Sequence, residues 1–441
     1  MREPQSWGRI PHGEDQLLTL LSGRADSLPT GDGNSTLLPF GQGRSYGDSC
    51  LNPGGILLGT RRLNGVISFD RDRGVMRCES GATFEDILRR IVPCGWFLPV
   101  APGTKFISVG GAIANDVHGK NHQGAGTFGR HVTRFELLRS DGTRRLCSQS
   151  ENPSWFAATI GGLGLTGLIT WAEFQLKRIE SSDIEMETVK FRNLDEFFEV
   201  SRRSDEEFEH TVAWVDCAAT AARLGRGLFM RGRHAGSGRG LFPSRKNRLE
   251  LPLDAPGFVT SPPAMRLFNA AHYHGGPARI EKRVVHYERF FYPLDAIGRL
   301  NRIYGTRGFF QYQCVVPFDG DGGAVKALIG EISMTGGGSF SSILKNFGDI
   351  KSPGMLSFPR KGVTLAVDFP NRGRETLDLL ERLDTIVREC RGAVYPAKDA
   401  RMSAESFDAY FPNWKQWVQY KDPLFSSGFW RRVTRKTASG E

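Results

Sequence analysis

No run of apolar residues in this 441-residue chain is long enough to cross a bilayer. The opening Met1-Arg2-Glu3-Pro4-Gln5-Ser6-Trp7 lacks the apolar core of a secretory signal. Cysteine is scarce: Cys50, Cys78, Cys94, Cys147, Cys217, Cys314 and Cys390 are scattered, odd in number and never spaced Cys-x-x-Cys. That pattern excludes a disulfide framework and a zinc ribbon, and it predicts reduced thiols in the cytoplasm. No internal repeat and no nucleic-acid module signature is present, so the formal charge of +10 is not read as a nucleic-acid footprint. Basic residues are spread along the chain, densest at Arg231, Arg233, Arg239, Arg245, Lys246 and Arg248 around a Gly/Ser-rich stretch, 232–247. Two readings of that stretch stand side by side: a solvated loop, and a mobile arm that meets anionic lipid headgroups or a lipid-linked phosphate.

Glycine, by contrast, is abundant, with 53 residues. Gly41, Gln42, Gly43, Arg44, Ser45, Tyr46 and Gly47 follow the apolar run Leu37-Leu38-Pro39-Phe40. A second group comprises Gly103 and the run Ser108, Val109, Gly110, Gly111, Asn115, Asp116, Val117, His118. Without Cβ atoms, consecutive N–H groups can converge on a pyrophosphate, so both segments predict a site for a large anionic cofactor. The first reads Gly-x-Gly-x-x-x-Gly, which is not a nicotinamide-binding turn. Gly162-Leu163-Gly164-Leu165-Thr166-Gly167 does match Gly-x-Gly-x-x-Gly, but it follows a helix predicted over Pro153–Thr159 and leads into a strand over 168–174. A dinucleotide turn needs strand before helix, so no nicotinamide site is expected.

A hydrophobic fraction of 39% and a length of 441 residues predict a globular protein of more than one core. Periodicity predicts helices over 15–21 and Phe84–Ile91, the latter with Phe84, Ile87, Leu88 and Ile91 on one face. Strands are expected over 56–58 and 65–69, with a hairpin turning at Asp141-Gly142. Beyond Ser181, strands over 185–191, 210–216, 284–291 and Phe309–Val316 alternate with helices over 194–203, 294–304, 323–332 and 374–390. That organisation predicts an α+β fold in which an antiparallel sheet is backed by helices. Gln311 and Gln313, two apart on one strand, face one side and offer neutral amides to sugar hydroxyls.

Arg44-Ser45-Tyr46-Gly47-Asp48, His118-Gly119-Lys120-Asn121-His122, Gln311-Tyr312-Gln313, Leu356-Ser357-Phe358-Pro359, Val367-Asp368-Phe369-Pro370 and Ala397-Lys398-Asp399 occur in one order along most of the chain. With the paired glycine segments, this set resembles the vanillyl-alcohol-oxidase group of flavoproteins. Within that group it resembles the decaprenylphosphoryl-β-D-ribose 2′-oxidase family, the flavin half of an arabinose-forming epimerase. The resemblance implies a PCMH-type FAD-binding domain of two α+β subdomains over 1–180, a substrate domain over 181–393 and a C-terminal segment, 394–441, returning to the flavin interface. It implies FAD bound through the glycine segments, Ile169 and Tyr395. It implies oxidation of the 2′-hydroxyl of a polyprenyl-phosphoryl pentose, with a separate short-chain NAD(P)H reductase completing the epimerisation.

By the same resemblance Lys398 is essential, His118 hydrogen-bonds flavin or substrate, Lys120 pairs with the substrate phosphate, and Gln311 and Gln313 meet the sugar. Whether lysine or histidine is the base is left open. Arg44-Ser45 stands where related flavoproteins carry a flavin-bonding histidine, so the FAD is expected to be non-covalent. One departure is Ala366, where the actinobacterial enzymes have the cysteine trapped by nitroaromatic inhibitors. A lipid-linked substrate would bring a cytoplasmic protein to the inner-membrane surface as a peripheral contact. The competing expectations are an FAD-dependent oxidase of free alditols or aldonolactones, and a basic scaffold that keeps a flavin fold without catalysis.

Overall fold

The first glycine loop begins where a buried strand ends. Leu37–Phe40 lies parallel to Ile56–Gly59, which is flanked on its other edge by Leu17–Leu20. The predicted helix over 15–21 is therefore a strand. Leu17 donates its N–H to Gly55, and the segment is held by the ladder of Ile56–Gly59, so tertiary pairing overrides its helical pattern. In this computed structural model residues 4–12, 15–29, 35–236, 238–244, 249–336 and 339–435 are described. Arg245, Lys246 and Arg248 of the predicted basic arm lie outside them. No helix among the described residues is long and apolar enough to cross a membrane.

Downstream, five antiparallel strands run in the order Val66–Asp70, Val75–Glu79, Leu168–Gln175, Val132–Leu138, Arg144–Ser148. The helix Phe84–Ile91 forms where its periodicity placed it. Thr83 and Asp86 close a capping box at its N-terminus. Its buried stripe of Phe84, Ile87, Leu88 and Ile91 shares one core with Phe128, Phe135 and Phe174. Val109 belongs to that core too, so it is a packing residue and not the cofactor contact it was expected to be.

The second half is organised by an eight-stranded antiparallel sheet. Its order is Ile280–His286, Asp183–Phe191, Gly227–His234, His210–Val215, Ser342–Phe347, Gly362–Pro370, Phe309–Val316, Ala393–Val394. The helices Leu194–Glu207, Gly323–Met334 and Arg374–Glu389 share a core with one face of this sheet through Phe197, Leu328, Ile329, Leu380, Leu383 and Val387. Alternation then turns the opposite side chains of the central strands away from the helices. The fold is α+β, as expected.

Three local expectations are corrected. The 284–291 strand is the end of Ile280–His286 followed by a helix, Tyr287–Phe291. The 294–304 helix is two short 3-10 turns, Pro293–Ala296 and Leu300–Tyr304, around a two-residue strand. Two of the six basic residues of the arm lie on a strand: Arg231 pairs with Glu187 at 2.7 Å and Arg233 with Glu185 at 3.1 Å across Gly227–His234 and Asp183–Phe191.

The end of the chain folds back onto its beginning. Leu37 donates to Leu424 O at 2.8 Å, and Ser426 donates to Leu37 O at 2.9 Å. The Arg432 guanidinium bonds Asp48 at 2.6 Å and Asp399 at 3.0 Å, and Tyr46 N–H donates to Ala397 O at 2.9 Å. These contacts place the residue after Ala397, a lysine, beside the glycine loop.

Candidate active site

Between the two halves lies a cavity of about 1010 Å³, at the upper end of the range of small-ligand sites. Its floor is the helix-free face of the large sheet. The register sets Gln311 opposite Asp368, Gln313 opposite Ala366, and Lys345 opposite Thr364. All six line the cavity, whereas Tyr312, Cys314, Leu344, Leu365 and Val367 between them join the helix-side core.

The opposite wall is made by the glycine segments. Gly41, Gln42, Gly43, Arg44, Ser45, Tyr46, Gly103, Ser108, Gly110, Gly111, Asn115, Val117, His118, Ile169 and Tyr395 all line it. The N–H groups of Gly41, Gln42 and Gly43 make no bond to a backbone carbonyl among the described residues. Gly41 is required for packing as well, since a Cβ there would lie 2.4 Å from Ser108 Oγ. The second segment is satisfied internally: Gly110 N–H donates to Ser80 O, and Gly111 N–H to Ser108 Oγ. It walls the site more than it donates to it.

Three expected site residues are placed elsewhere. Gly47 does not line the cavity; a Cβ there would sit 2.2 Å from Asp399 O, so glycine is needed to seat the loop against the C-terminal segment. Asp116 is wholly buried away from the cavity, accepting from Gly129 N–H and from the hydroxyls of Ser352 and Ser357. It ties the second glycine segment to the far half of the chain. Lys120 is also off the cavity, its ammonium donating to Phe290 O and lying 4.7 Å from that ring's centroid. Lys345 faces the cavity instead, with its Nζ donating to Gly119 O at 3.0 Å.

At one end of the cavity two hydrogen-bonded groups converge. In the first, the Lys398 Nζ lies 3.9 Å from the Tyr46 ring centroid. Gln311 Nε2 donates to Asp368 at 2.5 Å, and Tyr304 OH donates to the same carboxylate at 3.0 Å. Lys398 lines the cavity; enclosure by protein pulls its proton affinity down from 10.5 to about 7, with Asp368 opposing the shift. Burial pushes Asp368 up to about 6. In the second, Gln313 Nε2 donates to His118 Nε2 at 2.9 Å. Burial, followed by the charge of Lys345, holds His118 well below its ordinary value, so its ring is neutral and Nδ1 carries the proton.

Lys345 and Tyr304 are not singled out by the sequence, and Asp368 enters only as part of the motif Val367-Asp368-Phe369-Pro370, with no role assigned. Lys345 sits on Ser342–Phe347, a strand whose alternation of Ile343, Lys345 and Phe347 was the available signal.

FAD, the implied cofactor, fits these residues. Ser49, Ser80 and His118 line the cavity, and the buried hydroxyls of the two serines and the Nδ1 of the histidine have no hydrogen-bond partner among the described residues. Gly103 faces open space. Cys50 is the one cysteine on the lining among the described residues. Burial pushes its thiol up to about 12, and Sγ donates to Gly47 O at 3.6 Å.

A family described as FAD binding domain matches residues 32–148. The chain is 33% identical to decaprenylphosphoryl-β-D-ribose oxidase of Mycolicibacterium smegmatis, over 93% of this chain and 92% of that one. It is 32% identical to an uncharacterised Streptomyces coelicolor protein over 80% of this chain and 99% of the relative. Similarity to L-gulonolactone oxidase 2 of Arabidopsis thaliana, 26%, is confined to 32% of this chain and 27% of that enzyme. The full-length match, together with a glycine-walled cavity that fits FAD, makes this chain an FAD-dependent oxidoreductase belonging to the decaprenylphosphoryl-β-D-ribose oxidase family.

Proposed function

We propose that the chain oxidises the 2′-hydroxyl of a polyprenyl-phosphoryl pentose, with Lys398 as the proton acceptor. The observation that carries this reading is Lys398 against Tyr46, with Gln311, Asp368 and Tyr304 on one side of the cavity and the His118–Gln313 pair on the other. FAD, when bound, supplies the hydride acceptor. An amine of proton affinity about 7 is free to take a hydroxyl proton near neutral pH, which an ordinary lysine is not. Asp368 beside it favours the resulting ammonium. His118 is held neutral and acts as a donor, orienting an oxygen rather than removing a proton. Lys345, whose proton affinity burial and then the charge of Lys398 pull down from 10.5 to about 7, has no carboxylate partner among the described residues; a bound phosphate favours its charged form, which makes it the contact for the substrate phosphate in place of Lys120. Ala366 supplies no proton-transfer group, so the reaction proceeds without a thiol at that position.

The FAD is held non-covalently. The glycine loop contains no histidine, and the protonated, hydrogen-bonded thiol of Cys50 is a poor nucleophile. The keto product passes to a separate short-chain NAD(P)H reductase, because the Gly162–Gly167 run joins a helix to a strand and offers no dinucleotide turn. In this reading FAD is held by 1–180 and substrate by 181–393, and 394–441 brings Lys398 to the flavin. Anaerobic mixing tests the substrate. Polyprenyl-phosphoryl ribose should bleach the flavin, and xylitol and gulonolactone should not. Bleaching by the free polyol or lactone alone would transfer the chain to the alditol and aldonolactone oxidases.

A further inference from the structure

Ten of the sixteen large apolar side chains exposed among the described residues fall between positions 242 and 297. Leu249 (81%), Leu253 (78%), Leu267 (73%) and Phe258 (72%) present most of their surface to solvent. Scattered exposure is ordinary on a soluble protein, but concentration around one opening marks a contact surface. Four of the ten, Phe258, Phe268, Leu294 and Ile297, are exposed and also line the cavity, and Leu249, Leu253 and Leu267 sit on the segments that carry them.

The segments that present them are pinned. Leu249–Glu250 pairs with Ile297–Gly298, and the Arg302 guanidinium donates to Leu251 O at 2.8 Å. In Pro262–Gly275 the inward stripe is Met265, Asn269 and Tyr273, with Asn269 donating to Asp216 at 3.1 Å, so Leu267 is held outward. Asp295, next to Leu294, accepts from Thr104 Oγ1 and Lys105 N–H, tying the rim to the second glycine segment.

Charge selects the occupant. Arg239 and Arg266 are exposed beside the rim. The nearby carboxylates are already matched: Glu250 with Arg299 at 3.5 Å, and Asp254 with Arg9 at 2.7 Å. A second copy of a +10 chain would oppose like charge with like. An anionic lipid surface offers both an apolar interior and complementary headgroups.

We propose that this apolar, cation-flanked rim inserts into an anionic bilayer, so that a lipid-linked substrate passes from membrane to cavity without crossing water. The inference rests on the lipid-linked substrate proposed above. The test is co-sedimentation of the FAD-loaded protein with phosphatidylglycerol–phosphatidylethanolamine vesicles. The comparison is a triple variant, Leu249→Ser, Leu253→Ser and Leu267→Ser, none of which lines the cavity. Vesicle affinity should fall by about a hundredfold, roughly a factor of five for each leucine withdrawn. Flavin content, and flavin reduction by a short-chain water-soluble substrate, should stay at the parent level. Unchanged vesicle affinity in the triple variant would overturn the proposal. So would a parent that self-associates in solution, with the triple variant becoming monomeric and its vesicle binding intact, because the rim would then meet a second copy. If vesicles bind through the rim but no polyprenyl-phosphoryl sugar reduces the flavin, the substrate reading alone is lost.

Discussion

Replacing Lys398 by methionine should slow substrate-dependent flavin reduction and, unusually for an active-site residue, stabilise the protein at low pH. The amine is held at about 7 instead of 10.5, and desolvation is the larger cause. A factor of ten in proton affinity is about 1.4 kcal/mol, so the full displacement corresponds to about 5 kcal/mol. The cavity admits water to the group, and halving for that leaves about 2–3 kcal/mol. The sign follows from proton counting. Below pH 7 the folded and unfolded chains both carry the charged amine, and the folded chain bears its whole desolvation cost. Between about 7 and 10.5 the unfolded chain binds the extra proton, so stability rises with pH across that window. Lys398→Met removes this contribution. Denaturant titrations of the apoprotein at pH 6 and pH 9 should therefore show a gain of about 2–3 kcal/mol for the variant at pH 6 and a smaller gain at pH 9. Stopped-flow reduction should fall by about two to four orders of magnitude with FAD retained. In the parent the reduction rate should rise through about pH 7 as the amine loses its proton. A variant with parental pH-dependence of stability and near-normal reduction would remove Lys398 from both roles.

Four further outcomes are expected. Acid precipitation should release the flavin into the supernatant, and flavin retained in the pellet would contradict non-covalent binding. Lys345→Met should raise KM for a phosphorylated substrate by about 10- to 100-fold, the value of a charge-assisted contact, while Lys120→Met leaves KM within about twofold; the reverse order would restore the phosphate contact to Lys120. Gly47→Ala forces a Cβ to 2.2 Å from Asp399 O and should destabilise even the apoprotein by about 1–3 kcal/mol. Gly103→Ala meets nothing and should weaken FAD binding alone, as equilibrium dialysis against FAD would show.

Much of the site was legible because chemistry-bearing residues were spaced by local rules. Gln311 and Gln313 share a face because strand period is two, and the strand forms over the predicted Phe309–Val316. Phe84–Ile91 and Pro153–Thr159 were equally plain from periodicity and the N-terminal proline. What stayed hidden depends on partners distant in sequence. Whether Lys120 or Lys345 meets the cavity is decided by Phe290 O, 170 residues from Lys120. Asp116 reads like a cofactor ligand until Ser352 and Ser357 supply its hydrogen bonds. The 15–21 segment has a helical pattern, and only the waiting edge of Ile56–Gly59 makes it a strand. Arg231 and Arg233 looked like loop charges because their partners, Glu187 and Glu185, lie on a neighbouring strand.

The return of the chain end to its beginning carries a consequence for synthesis. Arg432 joins Asp48 across 384 residues and also clamps Asp399, the neighbour of Lys398. A ribosome that has delivered the whole glycine-walled half has delivered neither Lys398 nor its clamp. The nascent protein therefore holds a half-built flavin wall, without its reactive amine and clamp, until residues 398–432 have been made. Closure waits for a contact of very long sequence separation, the kind that forms slowly. The helix Gly428–Thr434 supplies both Arg432 and Arg431, the latter donating to Asn52 at 2.8 Å, so the reactive amine is clamped to the glycine loop only once that helix has been made.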